Sequence, residues 1–176
     1  MPLVILLRGV NVGGHRTFRP SVLARQLQHL GAVNVGAAGT FVIRQSVARA
    51  QLRAEIARRL PFEAEIVICD GRAVARLLTH EAWGAAESGP GIVQFVSVLA
   101  AAPRTVPALP HALPPSGRWL VQLLAREQRF VLGRYRREMP AIANLGKVDA
   151  LFGVPATTRN LNTIRAIARV VEQVGR

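Results

Sequence analysis

Residues 33–43 read VNVGAAGTFVI, and this stretch decides the predicted fold of the N-terminal part of the chain. Val33 and Val35 are typical of a strand, residues 36–39 of a tight turn, and residues 40–43 of a returning strand. Two strands that follow each other so closely pair as an antiparallel hairpin. The stretch therefore predicts a hairpin, and its flanking segments decide what surrounds it.

A helix is predicted on each side of this hairpin. Pro20 suits the first turn of the earlier helix, and Gly31 ends it. Ser46 is the predicted N-cap of the later helix, and Pro61 stops it. Each helix places apolar residues on one face: Val22, Leu23, Leu27 and Leu30 in the first, and Leu52, Ile56 and Leu60 in the second.

Apolar strands at residues 3–7 and 64–69 complete the order strand, helix, strand, strand, helix, strand. This is the order of the split βαβ, or ferredoxin-like, arrangement. We therefore predict an α+β protein with a ferredoxin-like subdomain over residues 1–70. It would be packed with a second, less regular α+β subdomain over residues 71–176, unless the two form one compact domain.

The second part of the chain is less regular in its pattern. Residues 92–99 are strongly strand-like, and a hairpin is predicted to turn at residues 126–128. A short helix is expected near residues 147–152, and an amphipathic helix runs from about Asn160 to Val174.

Composition limits the class of protein. The chain of 176 residues has a net charge of +13, and all of its basic residues except Lys147 are arginine. This charge indicates either a polyanionic partner or compositional drift from biased codon usage. The single Cys69 excludes an intrachain disulfide, and no apolar run approaches the ~20 residues of a membrane span. We expect a cytoplasmic protein without membrane association.

A glycine-rich loop follows the first predicted strand. Glycine lets a phosphate approach backbone N–H groups closely, and a following helix adds its dipole. Gly9, Gly13 and Gly14 meet the first requirement, and side-chain contacts could be added by Arg8, Asn11, His15 and Arg16. The loop matches neither a dinucleotide fingerprint nor a nucleotide P-loop. It is either an anion site or simply the turn that the fold requires.

A second polar segment precedes the last predicted helix. Thr158 or Asn160 is a natural N-cap, but capping does not explain the whole set of polar residues, which comprises Thr157, Thr158, Arg159, Asn160 and Asn162. A helix start with hydroxyl, guanidinium and amide groups can hold an anion or nucleotide. Capping with solvation and a binding role remain equal alternatives here.

These two segments carry a family resemblance. Residues 6–14 read LLRGVNVGG and residues 156–163 read ATTRNLNT. They resemble the signature of a bacterial family, the domain of unknown function 1697 family, with Val10 in place of an isoleucine and Leu161 in place of a tryptophan. The family's polar residues at the first hairpin are largely replaced, since residues 37–40 read AAGT. The resemblance implies a compact α+β fold with a ferredoxin-like N-terminal part and no established activity.

The leading hypothesis places both segments in one site for a phosphorylated small molecule or nucleotide. The backbone amides of Gly13 and Gly14 would bind the phosphate, and Arg8 and Arg159 would pair with its charge. Asn11, Asn160 and Asn162 would orient the ligand, with Thr157 and Thr158 at the helix start.

Two alternatives remain. One is a nucleic-acid-binding module using a basic stretch with interleaved aromatic residues, whose arginines are Arg126, Arg129, Arg134, Arg136 and Arg137. The competing interpretation is that this stretch is a strand whose aromatic residues lie in the core and whose arginines face solvent. The other is a homo-oligomer whose signature segments are structural. The sequence predicts no metal site and no cofactor, because its histidines and its cysteine lack ligand spacing. No acid, base and nucleophile set stands out, which leaves enzymatic activity open.

Overall fold

The computed structural model describes residues 1–11, 14, 16–84 and 89–176. They form two compact units, Met1–Leu78 with Asn162–Arg176, and Thr79–Leu161. The predicted subdomain division at residue 70 stays a prediction. The structure groups residues 71–78 and the last helix with the first unit.

The first unit is built on a four-stranded antiparallel sheet. Its elements are β1 (Leu3–Arg8), α1 (Pro20–Gln26), β2 (Ala32–Asn34), β3 (Thr40–Ile43), α2 (Arg49–Arg59), β4 (Glu65–Asp70) and α3 (Gly71–Arg76). The strand order is β2-β3-β1-β4, with every neighbouring pair antiparallel. This order and these crossovers confirm the predicted ferredoxin-like arrangement.

One face of this sheet meets both predicted helices. Leu3, Ile5 and Leu7 alternate along β1 and pack in one cluster with Leu23 of α1 and Ile56 of α2. Such alternation is the period of a strand with one face in a core, whereas the helices contribute residues three or four apart. The predicted apolar faces therefore form this core.

The ends of α1 and α3 lie at residues that favour a helix end, whereas the start of α2 does not lie where the sequence predicts it. Pro20 begins α1, and Gly31 ends the short 3-10 turn after it with φ of 65°. Asp70 caps α3 by accepting a 2.8 Å hydrogen bond from the Ala73 N–H. The prediction that Ser46 caps α2 is wrong. Ala48 is the N-cap, because the backbone at Ala48 itself is still extended (φ −67°, ψ 138°), and Val47 before it packs against the core.

The second unit contains a five-stranded antiparallel sheet. Its strands are β5 (Ile92–Leu99), β6 (His111–Leu113), β7 (Val121–Glu127), β8 (Phe130–Arg136) and β9 (Ala156–Asn160), in the order β6-β7-β8-β5-β9. Two short helices, α4 (Met139–Leu145) and α5 (Val148–Phe152), lie between β8 and β9 in the chain. β9 leads into α6 (Leu161–Val174). The hairpin turn is confirmed at Gln128, which has φ of 51°.

The segment before α6 differs from its prediction. Residues 156–160 form an edge strand paired with β5 and not an irregular helix start, so Thr158 is not an N-cap. The physical reason is alternation: Thr157 and Arg159 are 3% and 9% exposed on one face of the sheet. Thr158 points to the other face, beside Ser97 of β5. β-branched threonines suit such a pleated surface.

No helix within the described ranges is long and apolar enough to cross a membrane.

Candidate functional site

The β1–α1 loop begins where β1 ends. Arg8 is exposed and stands opposite Glu65 in the β1–β4 register. Gly9 has φ of 68° and Gly14 has φ of 77°, and no heavy atom of the described residues, chain neighbours aside, lies within 4 Å of the position that a Cβ would take at either glycine. Gly13 and His15 lie outside the described residues. The loop thus presents two left-handed backbone positions to open space.

Asn11 shapes this loop with both groups of its amide. Its Oδ1 accepts a 2.9 Å hydrogen bond from the Phe18 N–H, and its Nδ2 donates to the Ala37 carbonyl at 3.1 Å. Its backbone N–H also donates to the Arg16 carbonyl at 3.2 Å. Asn11 has φ of 54°, a conformation that asparagine tolerates better than most residues. Its amide therefore supports the loop from within, whereas the sequence predicted an orienting contact to ligand.

Gly39 locks the loop onto the neighbouring hairpin turn. It has φ of 78°, and a Cβ there would lie 2.7 Å from Cγ2 of Val10 and 2.9 Å from Cβ of Leu7. Its carbonyl accepts a 2.8 Å hydrogen bond from the Leu7 N–H. Only glycine fits this close approach, so the glycine retained at this turn has a packing reason.

Two unpaired cations follow the glycines. Arg16 and Arg19 are exposed, and within the described chain neither guanidinium has a hydrogen-bond or ion-pair partner. Arg19 also contributes to an apolar groove of about 300 Å³ at the start of α1. The other groove residues are Phe18, Val22, Leu23, Gln26, Arg59 and Pro61. No sequence motif indicated this groove, which α1 forms with the end of α2.

Two polar side chains of the second signature segment form hydrogen bonds within its own sheet or within α6. Thr158 and Ser97 share a 2.6 Å hydrogen bond between their hydroxyl groups, across β9 and β5. Asn162 accepts a 2.8 Å hydrogen bond from Arg165 one turn later in α6. Asn160 is exposed at the end of β9. The Thr157 hydroxyl is buried and has no hydrogen-bond partner among the residues that the structure describes.

Arg159 is a buried cation. Its Nη1 donates to the Thr158 carbonyl at 2.9 Å. Burial lowers the pKa of Arg159 to about 10, because desolvation disfavours the charged guanidinium. A side chain in this position supports its own strand, and the predicted charge contact with ligand stays a prediction.

The leading hypothesis joined the two segments in one site. The β1–α1 loop belongs to the first compact unit and residues 156–161 to the second. Their meeting in space stays a prediction.

Two arginines of the predicted nucleic-acid patch bind carbonyls of their own chain. Arg126 donates to the Gln128 carbonyl at 2.6 Å and thereby braces the β7–β8 turn. Arg129 donates to the carbonyls of Leu99 and Ala100 at 3.3 and 3.2 Å. Both guanidiniums thus bind backbone carbonyls at or just after the end of a strand.

Two further patch arginines surround Trp119. Arg134 is buried and donates from Nε to Oε1 of Gln122 at 2.8 Å, with its guanidinium carbon 4.7 Å from the indole centroid. Arg136 donates to the Trp119 carbonyl at 2.8 Å and stacks at 4.0 Å from the indole centroid. Arg137 is exposed at the end of the patch. Trp119 thus contacts two arginines of the predicted nucleic-acid patch, Arg134 and Arg136.

In the part of the chain that the structure describes, no three His, Cys, Asp or Glu side chains gather as a metal site would require. Cys69 is buried in β4, and as the single cysteine of the chain it can form no intrachain disulfide.

Comparison with known proteins shows the fold and the family. The chain is similar to the solved structure of a conserved bacterial protein from Streptococcus pneumoniae, with a TM-score of 0.60 and 16% identity over 96% of this chain and 97% of that one. No curated protein matches it. The family described as protein of unknown function (DUF1697) matches residues 1–111, which include the first signature segment, and this match confirms the suspected family. This chain belongs to that family.

Proposed function

We propose that this protein is a cytoplasmic binding protein for a phosphorylated small molecule or nucleotide, and that its β1–α1 loop holds the phosphate. The observation that carries the proposal is the open pair of left-handed glycines, Gly9 and Gly14, in a loop braced by Asn11. Backbone N–H groups beside such glycines can approach an oxyanion without hindrance from a Cβ.

The charges around the loop favour an anion. Arg16 and Arg19 are exposed and unpaired within the described chain. A guanidinium can bind two phosphate oxygens at once, and it needs no carboxylate to be displaced first. Arg8 adds a third cation at the end of β1.

The groove beside the loop indicates the rest of the ligand. Phe18 lines the groove, and its N–H is bound by Asn11, so one residue joins the loop to the groove. A volume of about 300 Å³ is at the lower end of the range for ligand pockets. Val22 and Pro61 offer apolar contact, and the Gln26 amide can donate and accept. We therefore expect a mononucleotide to bind more tightly than pyrophosphate. The proposal is one of binding and assigns no catalytic residue.

The test is a titration of the purified protein with AMP, ribose 5-phosphate and pyrophosphate at two salt concentrations. Arg16→Ala is expected to weaken AMP binding by about tenfold, which corresponds to about 1.4 kcal/mol. Arg25→Ala is the matched control, since it removes an exposed arginine from the last turn of α1, the helix that follows the loop. Absence of binding by all three phosphates would overturn the proposal, as would equal losses in the two variants.

The two alternatives stay predictions with outcomes of their own. A nucleic-acid module would bind oligonucleotides alone, with an affinity that falls steeply as salt increases. A structural homo-oligomer would bind none of the probes, and Arg8→Ala would lower only the melting temperature.

A further inference from the structure

β4 is an edge strand with a feature that neither the fold nor the proposed ligand site explains. It ends the four-stranded sheet, and its residues 66–69 read IVIC, all buried. An edge strand presents alternate N–H and C=O groups on which another strand can pair. An edge with four consecutive apolar residues is therefore a ready template for association.

Two arginines of α2 occupy that edge. Arg49 donates from Nη1 to the Ile68 carbonyl at 3.3 Å, and Arg53 donates from Nη1 to the Ile66 carbonyl. Both carbonyls belong to alternate residues of β4, so they point to the same side of the strand. Each guanidinium therefore occupies a backbone carbonyl that would accept a hydrogen bond from an N–H group of an added strand.

The two spacings match. Arg49 and Arg53 are four residues apart, which places their Cα atoms about 6 Å apart along a helix. Alternate carbonyls along a strand are separated by about 6.7 Å. α2 is held in place by Leu52 and Ile56, which are fully buried beside these arginines in the sequence. The spacing of the two arginines along α2 thus matches the spacing of the two carbonyls along β4.

We propose that Arg49 and Arg53 form a guanidinium clamp on the edge of β4, and that β4 of a second copy of this chain adds to that edge when the clamp is removed. A second copy is the partner that fits, because two identical edges can pair antiparallel about a two-fold axis. The exposed Glu65 and the partly exposed Asp70 stand at the two ends of β4. In the antiparallel register centred on Val67, Ile66 of one copy pairs with Ile68 of the other, and Glu65 and Asp70 lie at the ends of the pairing.

The test compares Arg49→Ala/Arg53→Ala with Arg58→Ala/Arg59→Ala by analytical ultracentrifugation. The control removes the same charge from the same helix, where both arginines pair with Glu55 and not with a strand. At concentrations on the order of 100 µM, we expect the clamp variant to show twice the mass of the wild type. The control is expected to keep the wild-type mass.

Amide hydrogen exchange locates the association. In the clamp variant the N–H groups of Ile66 and Ile68 are expected to gain protection as the protein is concentrated, since they would donate to the added strand. An unchanged mass would overturn the proposal, as would a doubled mass without that protection or a doubled mass in the control. If the double variant fails to fold, Arg49→Ala and Arg53→Ala are measured singly, with the same outcomes deciding.

Discussion

The two signature segments contain the same kinds of residue, yet the structure treats them in opposite ways. In the β1–α1 loop, Gly9 and Gly14 face open space and Arg16 is exposed and unpaired within the described chain. In residues 156–160, the backbone pairs with β5 and Arg159 is buried. Arginine, asparagine and threonine at the joint between two elements are therefore not a signal of binding by themselves. Whether such residues are available to a ligand depends on whether their backbone is already paired in a sheet, as it is in residues 156–160.

Asparagine illustrates the same lesson within the first segment. Asn11 was predicted to face the ligand, but its amide ties the loop to Phe18 and Ala37. Its contribution to binding would thus be indirect, through the shape of the loop.

Gly39→Ala tests the packing that holds the loop, with Gly14→Ala as the matched control. Both residues have positive φ, but only Gly39 has side-chain atoms of Leu7 and Val10 closer than 3.0 Å to the added Cβ. We expect Gly39→Ala to lower the free energy of unfolding by roughly 3 kcal/mol and Gly14→Ala by roughly 1 kcal/mol. Urea denaturation measures both values. Equal losses would show that the contact with the turn does not hold the loop.

Asn11→Ala compares the asparagines of the two segments. It removes two hydrogen bonds and leaves alanine in a left-handed conformation, so we expect a loss of about 2 kcal/mol. Asn162→Ala removes one exposed hydrogen bond with Arg165 and is expected to change stability by less than about 0.5 kcal/mol. Thermal unfolding followed by circular dichroism distinguishes them. A larger loss for Asn162→Ala would contradict this assignment of roles.

Arg159→Met tests the buried cation through pH. The pKa of Arg159 is lowered to about 10 in the folded protein by burial. The folded state therefore binds fewer protons than the unfolded state above pH 10, and stability rises with pH in that window. Relative to Arg159→Met, the wild type is expected to gain about 1.4 kcal/mol at pH 11. A difference that stays constant from pH 8 to 11 would show that the guanidinium is not desolvated.

Thr157→Val and Thr158→Val are expected to have opposite signs. Within the described part of the chain the buried Thr157 hydroxyl has no hydrogen-bond partner, so replacing it with a methyl group should stabilise the protein by about 1 kcal/mol. Thr158→Val removes the bond to Ser97, whose hydroxyl is fully buried, and should destabilise by a similar amount, about 1 kcal/mol. Chemical denaturation of both variants gives the signs. Loss of stability in both would mean that the Thr157 hydroxyl has a structural partner.

Much of the fold could be predicted because its core residues follow simple periods. The hairpin at residues 33–43 and the strand at residues 92–99 have clear turn signals and apolar runs. α4 could not be predicted, since Met139 and Ile142 are 81% and 62% exposed and so give no amphipathic pattern. β9 was missed because its buried face consists of Thr157 and Arg159, and not of apolar residues.

Less of the candidate site could be predicted. The glycines and the exposed cations of the β1–α1 loop have local signals in the sequence. The groove does not, because it forms where Phe18 and Val22 meet Pro61, forty residues away in the chain. The clamp has no local signal either, since nothing in the spacing of Arg49 and Arg53 shows which carbonyls lie opposite them.

The most direct test of the difference between the two segments is a titration of ¹⁵N-labelled protein with AMP, followed by amide chemical shifts. We expect concentration-dependent shifts at Gly9, Gly14 and Arg16, with saturation, while the amides of residues 156–162 stay in place. Shifts confined to residues 156–162, or no shifts at the loop when AMP binds, would contradict the account.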